Sequence, residues 1–266
     1  MMSDTSMSNH VADAPEERRT DGIYVYGIVP ADVEAEEDAV GVCDKAVDIV
    51  VHGDIAALVS EISTDRPLGK PEDLQAHARL LDGTARVAPV LPLRFGAVLT
   101  DPNAVRDELL TEHADEFAAA LAELEGRAQY ILKGRYVEKA ILQEILEENE
   151  QARALRKTIR SQPEEATRDA RMSLGEIVSN AIAAKRDEDT RAVVDALTPL
   201  SDFVNVREPT HEEDAAQVAV LLEVARQDEL EDTIGELAQR WDGRVDMRLL
   251  GPLAAYDFVV TGTPEG

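Results

Sequence analysis

The sequence predicts an α+β protein of two domains. Short β-prone runs, bounded by turn residues, alternate with segments of helical apolar spacing along most of the chain. The 266 residues exceed one ordinary domain and suffice for two, and a 44% hydrophobic content supplies cores for both. The pattern changes after residue 137, where a long charged, helix-prone stretch interrupts the alternation.

Residues 1–21 are polar and acidic, lack an apolar core of signal-peptide length, and are expected to form a disordered tail. Residues 23–29, IYVYGIV, form a β-prone run between an Asp-Gly turn and Pro30. Residues 31–45 are acidic and predict loop or weak helix. The runs 46–52 and 55–62 flank His52-Gly53-Asp54 and predict a hairpin. Pro71 suits a first helical turn, and Leu74, Ala78, Leu81, Ala85 and Ala88 predict a helix over 71–87. VAPVLPLRFGAV follows at 87–98 and predicts a buried strand at about 89–94. Asp101-Pro102 opens a helix to about 124, with Val105, Leu109, Leu110, Phe117 and Leu121 as its stripe. The N-terminal α+β domain is therefore placed at 22–125.

Residues 127–137 predict a strand. Residues 138–160 predict a helix carrying Ile141, Leu142, Ile145 and Leu155, and 164–198 one or two more, striped by Leu174, Ile177, Val178, Ala181 and Ile182. Strands follow at 203–206 and 217–225, then a helix at 228–241, then strands at 245–251 and 255–260. The core order β-α-β-β-α-β is that of ferredoxin-like folds. Residues 126–266 are thus expected to be a ferredoxin-like domain with a helical insertion at about 138–200.

Composition excludes several functions. Acidic residues number 54 against 27 basic ones, a net charge of −27, with no convincing basic patch along the chain. Such a chain repels phosphate polymers and anionic membranes. Only 6 of the basic residues are lysine and 21 are arginine, a Lys-poor acidity that suits a halophile's high-salt cytosol. Cys43 stands alone, so no internal disulfide forms, and the expected location is cytoplasmic. No apolar run reaches the ~18 residues of a membrane span.

Motifs for catalysis are missing. The histidines show no paired-ligand spacing, Gly69-Lys70 lacks the rest of a P-loop, and neither GxGxxG nor GxSxG occurs. Residues 211–214, HEED, could hold a metal but predict a solvated loop more simply. His52 and Asp54 could form an acid–base pair, but turn chemistry around Gly53 accounts for them. No metal or cofactor site is assigned, and the chain is expected to be an interaction protein rather than an enzyme.

Arg94 is the one charge within 87–98. In one reading it ends the buried strand and pairs with a carboxylate, while Phe95 packs and Gly96 turns the chain. In the other, Arg94 and Phe95 lie on a docking surface, as arginines and aromatics often do.

Five stretches bear on that choice: YVYGIV (24–29), HGDIAALVSEI (52–62), VLPLRFGAVL (90–99), SLGEIVSNAI (173–182) and GPLAAYDFV (251–259). In this order and spacing the chain resembles the GvpF/GvpL family of gas vesicle proteins over about residues 22–261, and the long tail points to the L branch. The C-terminal element departs from the family's Trp-Pro-Pro, with Leu253, Ala254 and Ala255 following Pro252. The resemblance implies two α+β domains, the second ferredoxin-like. It also implies a non-enzymatic accessory factor of early vesicle assembly that is a minor vesicle component. Its partners would be the hydrophobic shell protein and other gas vesicle accessory proteins. Leu93, Arg94, Phe95 and Gly96, with Gly251, Pro252, Tyr256 and Phe258, are the candidate partner-binding or structural residues. The rival reading, a ferredoxin-like small-molecule sensor, requires a Gly-rich ligand loop that the sequence does not show.

Overall fold

A computed structural model of the chain describes residues 21–35, 39–63, 67–201 and 203–258. Residues 1–20 of the expected N-terminal tail lie outside these residues, and Asp21, expected to end the tail, instead opens the first strand. The fold is α+β, built on two antiparallel sheets.

The first sheet is centred on β1 (Asp21–Pro30). β2 (Asp48–His52) and β3 (Ile55–Ser63) form the expected hairpin, with His52 opposite Ile55 and Gly53 at φ +57. β3 pairs with one side of β1. The predicted strand at 89–94 is not continuous. β4 (Leu91–Pro92) and β5 (Val98–Leu99) each pair briefly with the other side of β1, and 93–97 leaves the sheet between them.

A bulge between Val25 and Gly27 shifts the register of β1 against β3. Strict alternation would place Val25 and Val29 on one face. Instead Ile23, Val25 and Ile28 share one core, and Tyr24, Tyr26 and Val29 another. α1 (Pro71–Thr84) covers the tyrosine face. The other face is covered by α2 (Pro102–Ala104), a π-helical stretch Val105–Thr111 and α3 (Ala114–Leu124), whose expected stripe is buried. Between β1 and β2, the described part of 31–45 holds a 3-10 turn at Val42–Asp44.

The second sheet has the order β7-β8-β6-β9. β6 (Arg127–Tyr136) and β8 (Asp214–Glu223) are central, and β7 (Phe203–Val206) and β9 (Val245–Leu253) lie outside. The predicted helix 138–160 divides at Asn149, whose side chain caps the second piece by accepting from Ala152 N–H at 2.9 Å. The pieces are α4 (Glu138–Glu148) and α5 (Glu150–Ser161). After Pro163 the chain forms a 3-10 turn and then one long helix, α6 (Arg168–Leu197). α7 (Gln227–Arg240) precedes β9.

A charged network ties α4 and α6 to the start of β9. Arg244 bonds Glu144 at 2.7 Å and Asp189 at 2.9 Å while lying over the Tyr136 ring. The Tyr136 hydroxyl donates to Asp189 at 2.6 Å, and Lys185 pairs with Glu144 at 2.5 Å. Burial pushes the Glu144 carboxyl pKa up, but Arg244 and Lys185 outweigh it and hold the group below its ordinary value.

The strand expected at 255–260 does not form over its described part. β9 ends at Leu253, and the chain turns at Tyr256–Phe258. Before that turn Gly251 has φ +145, and a Cβ there would meet the Tyr130 ring at 2.5 Å. Gly251→Ala combines backbone strain with overpacking, so a loss of about 2–4 kcal/mol is expected in urea unfolding.

Candidate functional site

The candidate residues fall into two neighbouring segments, 93–96 and 251–258. Each is held by buried polar groups.

Residues 93–96 bridge β4 and β5. Leu93 N–H donates to Tyr26 O at 2.9 Å, and Val25 N–H donates to Ala97 O at 2.9 Å, so both ends are fixed to β1. Gly96, at φ +94, provides the left-handed turn that returns the chain. Its N–H donates to the Tyr24 hydroxyl at 3.2 Å, and that hydroxyl lies 2.9 Å from His77 Nδ1. A hydroxyl that accepts from Gly96 has its proton free for Nδ1. His77 then carries its proton on Nε2 and donates to the Leu93 carbonyl. One imidazole therefore spans from the first residue of the loop to the tyrosine that holds its last.

The rings of Tyr24, Tyr26, His77 and Phe95 pack with centroids 4.8 to 5.8 Å apart. Tyr26 donates to Ser60 at 3.0 Å and accepts from Val42 N–H at 2.7 Å. Burial pushes the Tyr24 hydroxyl pKa up. It pushes the His77 imidazole down to about 4, against the opposing effect of the Leu93 carbonyl.

Arg94 occupies the turn and is exposed. This corrects the expectation of a strand-ending, paired guanidinium: among the described residues no carboxylate bonds it. The two prolines and the apolar spacing suggested a buried strand over 89–94, but burial in that stretch is confined to Val90, Leu91 and Pro92.

The second segment joins the two sheets. Ala254 N–H donates to Asp82 of α1 at 3.1 Å, and the Tyr256 hydroxyl donates to the same carboxylate. Burial raises the pKa of Asp82, and these two donors oppose the shift. Asp257 N–H donates to Gln129 Oε1 of β6 at 2.9 Å, and Gln129 Nε2 returns a bond to the Asp257 carboxylate. Arg207 lies 3.6 Å from that carboxylate. Phe258 packs on Phe203 of β7 with centroids 6.3 Å apart. Gly251 and Pro252 shape the approach, whereas Tyr256 and Phe258 make the contacts. Leu93 and Phe258 pack against one core with Leu91, Leu221 and Ala255, so the two candidate segments meet there.

Sequence reasoning missed Tyr24, His77, Asp82, Gln129 and Asp257. The signal for His77 was obscured because α1 was oriented by its alanines and leucines. The buried face is Asp73, His77 and Leu81, while Leu74 is exposed. Polar residues at i, i+4 can occupy a buried face when partners await them.

The other acid–base and metal candidates resolve as structure. The hairpin turn holds His52 near Thr111 at 3.4 Å, and Asp54 O accepts from Ala31 N–H. Asp214 of the HEED stretch accepts from Thr210 N–H, His211 N–H and Gln217, which caps the loop. Among the described residues no group of three His, Cys, Asp or Glu could hold a metal ion, and no helix is long and apolar enough to cross a membrane. A surface groove of about 600 Å³ beside α3 collects Asp32, Glu34, Asp54 and Glu125, without a histidine or nucleophile among its lining residues.

The α+β architecture with its two antiparallel sheets is that of a known family. The family described as gas vesicle synthesis protein GvpL/GvpF matches residues 22–260, and the chain belongs to it. Gas vesicle protein F of a Streptomyces species (strain CB03234) is 31% identical over 242 residues, covering 89% of this chain and 98% of that protein. Gas vesicle protein F of Dolichospermum flosaquae is 23% identical over 238 residues, covering 89% and 96%. The crystal structure of GvpF from Anabaena sp. PCC7120 superposes with a TM-score of 0.74 at 21% identity, over 91% of this chain and all of that one. GvpF from Microcystis aeruginosa gives 0.70 at 20% identity, over 89% and 98%. These relatives carry the F name, so the lean towards the L branch finds no support in them.

Three outcomes follow from the geometry. Tyr24→Phe strips His77 Nδ1 and Gly96 N–H of their shared partner and is expected to cost about 1–3 kcal/mol in urea unfolding. Arg94→Ala is expected to stay within about 0.5 kcal/mol of wild type in the same assay, because the side chain is exposed and unpaired. The His77 pKa in the folded protein lies below its unfolded value of 6.5, so the unfolded chain takes up the proton first. His77 therefore contributes stability above pH 6.5 that is lost as pH falls towards about 4. NMR titration of the imidazole is expected to show the neutral ring persisting until that lower range.

Proposed function

We propose that this chain is a non-enzymatic accessory factor of gas vesicle assembly. It holds the hydrophobic shell protein, together with other gas vesicle accessory proteins, during the nucleation of the vesicle in the cytoplasm. It remains as a minor vesicle component. Family membership supports the vesicle setting. The observation that carries a docking role is the 93–96 loop, in which both flanks are anchored and Arg94 faces solvent without a carboxylate partner among the described residues. A rigid loop loses little entropy on binding, and an arginine in it is a favoured anchor.

We also assign two units, 22–125 and 126–266. The second is ferredoxin-like, with α4, α5 and α6 as its enlarged first helical crossover. The support is its order β6-α-β7-β8-α7-β9, with β6 and β8 central in the sheet. Shell subunits expose apolar surface before placement and would otherwise aggregate. A partner as charged as this one keeps such a complex dispersed.

The test is complementation of a deletion strain, scored by flotation and electron microscopy, beside co-purification with the shell protein at the cell's own salt. Arg94→Ala is expected to fold normally, lose the shell protein and fail to restore vesicles. Normal vesicles from that variant would remove Arg94 from the docking role. Cells lacking the whole chain that still form vesicles would defeat the assembly role itself.

A further inference from the structure

Helix α5 departs from the charge of everything around it. Its 12 residues include Arg153, Arg156, Lys157 and Arg160 but a single acid, Glu150, in a chain with twice as many acids as bases. At 3.6 residues per turn the four cations fall within an arc of roughly 100°. Ala152, fully buried, and the half-buried Leu155 and Ile159 lie on the adjoining arc, and α5 packs on α6. All four cations are exposed.

Intramolecular pairing does not account for them. Arg153 donates to the backbone carbonyl of Glu147 at 3.0 Å. Among the described residues no carboxylate pairs with Arg156, Lys157 or Arg160. Two cations of α6, the helix on which α5 packs, do find partners: Lys185 pairs with Glu144 and Glu148, and Arg171 with Glu164. Other surface arginines also lack carboxylate partners, but among the described helices α5 alone gathers four cations against a single acid. The stripe escaped notice in the linear sequence because Pro163 and the acids after it follow at once.

We infer that the outward face of α5 is a docking surface for an acidic segment of another polypeptide, one presenting several carboxylates along about 18 Å, the length of the helix. Charge complementarity selects this occupant. Guanidinium forks match carboxylates in bidentate geometry. A nucleic acid is the poorer fit, since α5 carries no aromatic for base stacking and a long polyanion would run on past the acidic remainder of the chain. Each exposed pair contributes little by itself, so the four cations act as a set and speed encounter as much as they hold the complex. This surface is separate from the 93–96 loop and does not depend on what that loop engages.

The experiment uses the full chain and a fluorescein-labelled oligoglutamate peptide about as long as α5, read by anisotropy at low and at high salt. The comparison is the variant Arg153→Gln, Arg156→Gln, Lys157→Gln and Arg160→Gln, which keeps good helix formers at every site. The wild type is expected to bind, with affinity falling as salt rises. The quadruple variant is expected to lose about tenfold or more, with unchanged circular dichroism and melting temperature. Lys157→Gln or Arg160→Gln alone should give a partial loss, which keeps the test valid if the quadruple variant folds poorly. A control replacing Arg79, Arg240 and Arg248 with glutamine should bind as wild type does. The inference is overturned if the wild type ignores the peptide at low salt or the α5 variants bind it equally well. An oligothymidylate of matched charge that binds more tightly through the same residues would overturn the polypeptide assignment.

Discussion

After β9 the chain has to serve two cores with consecutive residues. Ala254 packs with Leu81, Tyr24 and Tyr26 on the α1 side of the first sheet. Ala255 packs with Leu91 and with Leu221 of the second sheet. Around them Asp82 takes two hydrogen bonds from this segment, and Gln129 exchanges two with Asp257. The relative position of the two sheets thus depends on a few residues with small side chains and paired polar groups. A half-buried carboxylate and a buried amide are costly without partners, so the segment cannot leave without exposing both deficits.

The same logic operates at the 93–96 loop. A loop made of Leu, Arg, Phe and Gly has little to hold itself. Here it borrows rigidity from β1, from α1 through His77, and from the ring cluster above Phe95. The neutral imidazole is suited to this role, since it both accepts from a hydroxyl and donates to a carbonyl. A protonated ring would lose the acceptor. Burial keeps it neutral across the ordinary cellular range.

Electrostatics divide the molecule in another way. Near the second sheet, acids and bases are used in partly shielded networks such as Glu144, Lys185, Arg244 and Asp189, where salt screens weakly. Elsewhere the carboxylates face solvent in excess. Against that background a helix with four exposed cations and one acid stands out in a way that no count over the whole chain reveals.

The α+β class, the hairpin at His52–Ile55, the stripe of the 102–124 helical region and the alternation of strands and helices from 127 to 253 were legible from the sequence, because period and turn chemistry are local properties. The family was legible too, from short motifs kept in order. The exposure of Arg94, the face of α1 that is buried, the break at Asn149 and the turn at Tyr256–Phe258 were decided only in three dimensions. The buried face of α1 and the turn at Tyr256–Phe258 depend on partners distant in sequence. His77 is buried because Tyr24 and Leu93 satisfy it, and Asp257 turns inward because Gln129, 128 residues away, receives it. Hydrophobic spacing records which residues avoid water, but not which polar groups will find one another once water is gone.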